Sequence, residues 1–281
     1  MMRGNLLAGL GLLAFLVAGC QSAAPAVPRL DFPAQPGLLA APPLPAPLPA
    51  PRPPRSSVDL LSVLDLKDDH LGVGTLAPTE LNQAGADWIS DMALPMYSSP
   101  GEHLGWLING WIVDSVPPVS KRPLLTRALV PTRTQALALQ VVEVREDGWF
   151  RLRYAPPGSD DASLGWAHVD HLRLGGRPLE VKLWNEWFSA EGAALEYRKA
   201  EVRHALRGGP DAKAELVAWI GASHEIEPLE TSGDWMRVKV TQPSRLCAAD
   251  PSAVKAASAE GWIRWNSPEK GPWIWFAGDC R

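Results

Sequence analysis

Several things are missing from this chain, and each absence narrows what it does. Lysine and arginine total 27 against 31 aspartates and glutamates, a net charge of −4, with no basic block. That excludes the electrostatic footprint of a nucleic-acid binder and does not favour adhesion to anionic headgroups. After the first twenty residues there is no apolar run long enough to span a bilayer. No Gly-x-Ser-x-Gly or His-Glu-x-x-His motif occurs, and no Cys-His pair stands in a suggestive context. The six histidines, at 70, 103, 168, 171, 204 and 224, are scattered and read as surface residues. His168 and His171 are three apart, a metal-like spacing only on a helix. The chain therefore reads as a non-enzyme that needs no cofactor and no metal. Tyrosine (3) and phenylalanine (5) are few, whereas tryptophan reaches 13. Tryptophan joins a large flat apolar face to a single N–H donor, which suits small β-cores and shallow binding clefts.

The N-terminus places a charged start (Arg3) and an apolar stretch from Leu6 to Val17 before Val17-Ala18-Gly19-Cys20. A charged start, a brief apolar core and small residues at the cleavage point make a signal peptide over 1–19. The last four residues resemble a bacterial lipoprotein lipobox. The resemblance implies cleavage before Cys20, acylation of Cys20 and attachment to a membrane through it. Gln21 is not the aspartate associated with inner-membrane retention, so in a cell with two membranes the same resemblance implies the outer one, facing the periplasm.

Only three cysteines occur. With Cys20 acylated, Cys247 and Cys280 form an even pair in an oxidising compartment, and one disulfide is the simplest reading. A metal site or a nucleophilic thiol are the alternatives, but neither cysteine has a Cys or His at zinc spacing, and Cys280 is the penultimate residue.

Twelve of residues 21–55 are proline, densest from Pro42 to Pro54. Proline fixes φ and lacks the N–H donor, so neither helix nor ladder forms there. Residues 20–55 are expected to be a disordered, extended, lipid-anchored linker. Residues 56–93 read as a short, partly helical lead-in, from the spacing of Leu60, Leu61, Val63 and Leu64.

From Leu94 the pattern is β: short apolar or alternating runs between Gly, Pro, Asp and Asn clusters. Gln140–Val144, the turn Arg145-Glu-Asp-Gly148 and the alternating Trp149–Tyr154 form a hairpin, followed by Gly165-Trp166-Ala167-His168-Val169. The second half repeats this with Glu225–Glu230, Trp235–Val240 and Gly261-Trp262-Ile263-Arg264-Trp265. Two copies of one unit are present.

At these residues the chain resembles the bacterial SH3-like domain. That family reads as an Arg-x-x-Pro element, an apolar strand, a turn, a Trp-led alternating strand and a closing Gly-Trp-Val/Ile strand. Leu206-Arg207-Gly208-Gly209-Pro210 and Leu216–Gly221 match the first two elements in the second copy. Met96-Tyr97-Ser98-Ser99-Pro100 and Leu104–Leu107 match them in the first. The likeness covers about 94–174 and 195–276, and it implies a mainly-β protein with two small SH3-like barrels in tandem (94–175 and 195–281), joined by a connector over 176–194. Insertions near 112–140 and 242–260 depart from the family pattern.

The resemblance also implies peptide binding, often of cell-wall peptide, in aromatic-lined grooves. The candidate ligand-binding residues are Tyr97, Trp106, Trp111 and Trp149 in the first copy, and Tyr197, Trp219, Trp235 and Trp265 in the second. Trp166 and Trp262 are expected in the cores. Trp149 and Trp235 fall on strand faces carrying Arg and Lys, so they are expected to be exposed. The reading is a lipid-anchored envelope protein that recognises peptidoglycan peptide or an envelope protein partner. The alternative is a structural or accessory subunit of an envelope assembly or wall hydrolase. Cys20→Ser is expected to leave the chain unprocessed or soluble. Membrane fractionation checks this, and a processed Cys20→Ser protein that still partitions normally into membranes would refute it.

Overall fold

A computed structural model describes residues 44, 46–47, 49–50, 70–81, 87–114, 121–123, 129–134, 136–154, 163–190, 192–199, 201–244 and 256–277. Cys20, Cys247 and Cys280, the signal peptide, most of the linker and residues 56–69 lie outside them. Among the described residues no helix is long and apolar enough to cross a membrane.

The chain is mainly β, as its alternating pattern requires. The first half contributes β1 (Gly74–Pro78), β2 (Ala93–Ser99), β3 (Glu102–Ile108), β4 (Trp111–Asp114), β5 (Lys121–Pro123), β6 (Leu129–Pro131), β7 (Leu137–Val144), β8 (Trp149–Tyr154), β9 (Ser163–His168) and β10 (Leu179–Leu183). A short helix, α1 (Trp184–Phe188), follows. The second half holds β11 (Leu195–Tyr197), β12 (His204–Arg207), β13 (Leu216–Ile220), β14 (Glu225–Ser232), β15 (Trp235–Gln242), β16 (Ala257–Arg264), β17 (Asn266–Ser267), β18 (Gly271–Pro272) and β19 (Ile274–Phe276).

These strands form two antiparallel sheets with one shared plan. The first runs β10-β1-β7-β8-β9-β2-β3-β4-β5, with β6 also on β7, and the second runs β13-β12-β16-β15-β14-β11-β19. Read from β10 and from β19, the first seven strands correspond one to one in space and in chain order. The short β17–β18 ribbon stands apart. Among the described residues neither sheet closes on itself through hydrogen bonds: β5 and β10 are outermost in the first, β13 and β19 in the second.

Details repeat as well. A single bridge joins β2 to β9 at Tyr97–Trp166, and a single bridge joins β12 to β16 at Arg207–Trp262. β3 and β13 each bulge at one residue, Leu104 and Val217. Both recognised Gly-Trp pairs therefore lie where the closing strand meets the opening one. At Gly261 a Cβ would stand 2.6 Å from the Arg207 carbonyl oxygen, so only glycine lets β16 approach β12.

The two cores are distinct. Leu76, Leu94, Met96, Leu139, Phe150 and Leu152 centre the first, and Leu206, Ile226, Met236, Val238 and Ile263 the second. Two stretches lie differently from their expected roles. The lead-in that reads as partly helical holds a 3-10 turn over Asp87–Asp91 and also the strand β1, and β10 sits in the connector; β1 and β10 pair with each other along their whole length and extend the first sheet. The connector also holds α1, directly after β10. Its Trp184 and Phe188 enter the second core, where Trp184 meets Trp275 edge-on at 4.9 Å. The Trp184 indole N–H donates to the Leu71 and Gly72 carbonyls at 3.2 Å. Trp187 donates to Thr75 Oγ1 at 2.8 Å. Trp184→Ala is expected to cost about 3–5 kcal/mol of stability, measured by urea unfolding. A loss below about 1 kcal/mol would mean that the indole is not a core residue.

Candidate functional site: two equivalent aromatic faces

Alternation along β8 and β15 sends Phe150 and Leu152, and Met236 and Val238, into the cores. The intervening residues line the opposite face of each sheet. In the first half, successive pairings run Arg151–Trp166–Tyr97–His103 across that face, with Trp149–His168 and Trp106 beside them. In the second half the corresponding row is Arg237–Trp262–Arg207–Leu216, with Trp235–Arg264 and Trp219 beside it. Trp149 corresponds to Trp235, Trp166 to Trp262, and Trp106 to Trp219.

The first face is closed by its own side chains. Tyr97 is fully buried and Trp149 is 7% exposed. Trp149 packs edge-on against Tyr97 at 4.9 Å and against His168 at 5.1 Å. The expectation that Trp149 is an exposed aromatic is thus corrected: the strand face is right, but Tyr97 and His168 cover the ring. The three histidines are likewise not surface residues. A 3-10 turn over Val169–His171 brings His171 back to stack on Tyr97 at 6.0 Å, while His103 meets Tyr97 edge-on at 5.3 Å. His168 Nε2–H donates to the Asp147 carbonyl at 2.9 Å, and Nδ1 accepts the Asp170 N–H at 3.2 Å. Both partners fix the orientation of the ring.

The Tyr97 hydroxyl, both His103 nitrogens and His171 Nδ1 are buried without a hydrogen-bond partner among the described residues. Burial pushes the Tyr97 phenol up and the imidazoles of His103 and His171 down. For His171 the neighbouring His168 adds to the depression and Asp170 opposes it. Among the described residues no three His, Cys, Asp or Glu side chains converge to hold a metal ion.

The second face is open. Trp219 is 52% exposed, Leu216 and Val217 are exposed, and Trp235 and Trp262 are half-buried. Among the described residues Arg237 and Lys239 are held by surface ion pairs, to Glu230 at 3.7 Å and Glu227 at 3.3 Å. Such pairs contribute about 0–1 kcal/mol, so both cations remain available to a ligand. Arg264 lies 5.3 Å over the Trp273 ring, and in the first half Arg151 lies 5.3 Å over Trp166. Trp166 and Trp262 therefore belong to these faces and not to the cores where they were expected.

Trp111, on β4, packs with Trp106, Ile108 and Val113 in a small separate cluster. Tyr197 and Trp265 belong to the second core, and Tyr197 stacks on His204 at 3.5 Å. So Tyr97, Trp106 and Trp149 come together in the first half, with Trp111 on the same side of the sheet next to Trp106, and Trp219 and Trp235 share a face in the second, whereas Tyr197 and Trp265 join neither. The histidine cover was missed although alternation from Trp166 already sets His168 on its face. β4 was missed although Asn109-Gly110 is a strong hairpin signal; both residues have positive φ, at 51° and 72°. No protein-family model matches the chain, and no curated protein matches it.

The histidine depressions give a pH dependence. Unfolding returns His103 and His171 to the ordinary value of 6.5, so below that pH the unfolded chain binds more protons than the folded one. Stability is expected to be fully present above about pH 6.5 and to fall as the pH drops below it. Thermal melts between pH 7.5 and 5 check this. His171→Phe, which keeps the stacked ring, should flatten the slope; an unchanged slope would refute the assignment.

Proposed function

We propose that this chain is a lipid-anchored binding protein of the cell envelope, without catalysis of its own, that recognises peptide through the open face of its second half. The anchor follows from the lipobox resemblance at Cys20, and the outer membrane facing the periplasm from Gln21. The two halves are read as divergent copies of the bacterial SH3-like domain. The shared seven-strand plan and the equivalent placement of the Gly-Trp pairs support that reading. Peptidoglycan peptide and envelope protein are the two ligand classes.

The observation that carries the proposal is the contrast between equivalent faces. One unit has filled its aromatic face with Tyr97 and three histidines. The other leaves the same positions open, with Trp219, Trp235 and Trp262 beside Arg237 and Lys239. An aromatic surface beside available cations suits an extended ligand carrying carboxylates.

The test is capture on cell-wall sacculi against capture from envelope extract. Trp219→Ala and Trp235→Ala should retain native melting and each lose about 2 kcal/mol or more of binding, as a true anchor does. Trp149→Ala should instead lower stability by about 3–5 kcal/mol. If both second-half variants stay folded and bind as before, the ligand surface lies elsewhere.

A further inference from the structure

The open face ends at a free strand edge. Among the described residues β13 pairs with β12 and with no other strand, and its five residues, Leu-Val-Ala-Trp-Ile, carry no charge. Exposed edges of this kind are usually blunted by charge or proline. In the first half the same edge is occupied. β3 pairs with β4, which sets Trp106 opposite Val113 and Ile108 opposite Trp111. Trp106 is 4% exposed there, whereas its equivalent Trp219 is 52% exposed. The backbone is also presented equivalently. Asn109 N–H bonds to the Met92 carbonyl, so bonding alternates away from β2 at Ile108 and Trp106 and turns those groups toward β4. The same alternation turns the Trp219 N–H and C=O to the free edge.

We infer that β13 accepts an extended strand from a partner protein, added antiparallel at this edge as β4 is added to β3. This rests on the reading of the second half as a peptide binder and names its ligand as an L-polypeptide. The β4 template specifies the occupant: a β-branched residue opposite Trp219, where the edge groups are presented, whereas at Gly221 the N–H already donates to His224 Nδ1 and the carbonyl accepts the His224 N–H, so that only an aromatic side chain packed over the turn is asked for there. The template ends at Ala218, before the Val217 bulge, and the occupant's chain beyond it leaves the edge on the side of the row with Arg207 and Arg237, so acidic residues should follow the apolar run. A second copy fits less well. Two β13 strands paired about Ala218 would set the Val217 bulge of each against Trp219 of the other. β4 avoids the corresponding bulge at Leu104, since it pairs only from Gly105 to Ile108.

The test uses the full chain and a labelled synthetic peptide, Gly-Trp-Ile-Val-Asp-Glu-Glu, which carries the residues of β4 and an acidic tail. Fluorescence anisotropy should show saturable binding, and amide exchange should slow over residues 216–221. N-methylation at the peptide valine, whose N–H faces the edge in the β4 register, should weaken binding about tenfold or more; at the isoleucine, whose N–H faces away, it should not. Trp219→Pro should weaken binding likewise. Equal effects of the two methylations would overturn the inference. So would exchange protection confined to β15 and β16, or a concentration-dependent dimer abolished by Trp219→Pro. If this peptide fails while sacculi are still captured through Trp235, strand addition falls and peptide recognition stands. If nothing is captured by any route, the functional reading itself fails.

Discussion

Trp184 is the contact on which the architecture turns. It follows β10, the outermost strand of the first sheet, and its ring lies in the second core. Its N–H reaches back to the two carbonyls that lead toward β1. One side chain thereby ties the end of one repeat, the start of that repeat and the interior of the next. Buried indole N–H groups are costly unless paired, so this position is tightly specified. The neighbouring bond from Trp187 to Thr75 fastens the same junction from the outer side.

With the halves held in this way, their differences become informative. Both inherit the same strand plan, the same bulge and the same tryptophans on the outer face. In the first, Asn109-Gly110 turns the chain back and supplies β4 over Trp106, while the 3-10 turn at His171 closes the other side. In the second, Gly221-Ala222-Ser223-His224 leads straight from β13 into β14, with Gly221 N–H donating to His224 Nδ1 at 3.1 Å. A short turn in place of a hairpin leaves an edge bare and a tryptophan in solvent.

Much of this plan was legible in the sequence. Period-two alternation at Trp149–Tyr154 and Trp235–Val240 gave the right strands and the right inward residues, because half-buried strands leave that signature directly. The internal repeat was visible in the Gly-Trp pairs for the same reason. β1 and β10 were not. Gly74–Pro78 is buried at every position and carries no alternation, and its partner lies at the far end of the repeat. Nor was the closure of the first face legible. Whether Trp149 is covered depends on Tyr97, His168 and His171, brought together by pairings across three strands and a turn. Alternation assigns a residue to a face; it does not say what lies over that face.

The pairing of β1 with β10 also bears on how the molecule assembles. Gly74 meets Leu183 across nearly the full length of the first repeat, a contact of very high sequence separation. Loop-closure entropy makes such contacts slow to form. As the chain is synthesised, β1 waits for its outer neighbour until the whole first repeat has emerged. That neighbour arrives joined to α1, so the strand that completes the first sheet also delivers Trp184 to the second core. Completion of the first sheet is thus tied to delivery of Trp184, and a chain ending after β9 would leave β1 without its outer neighbour.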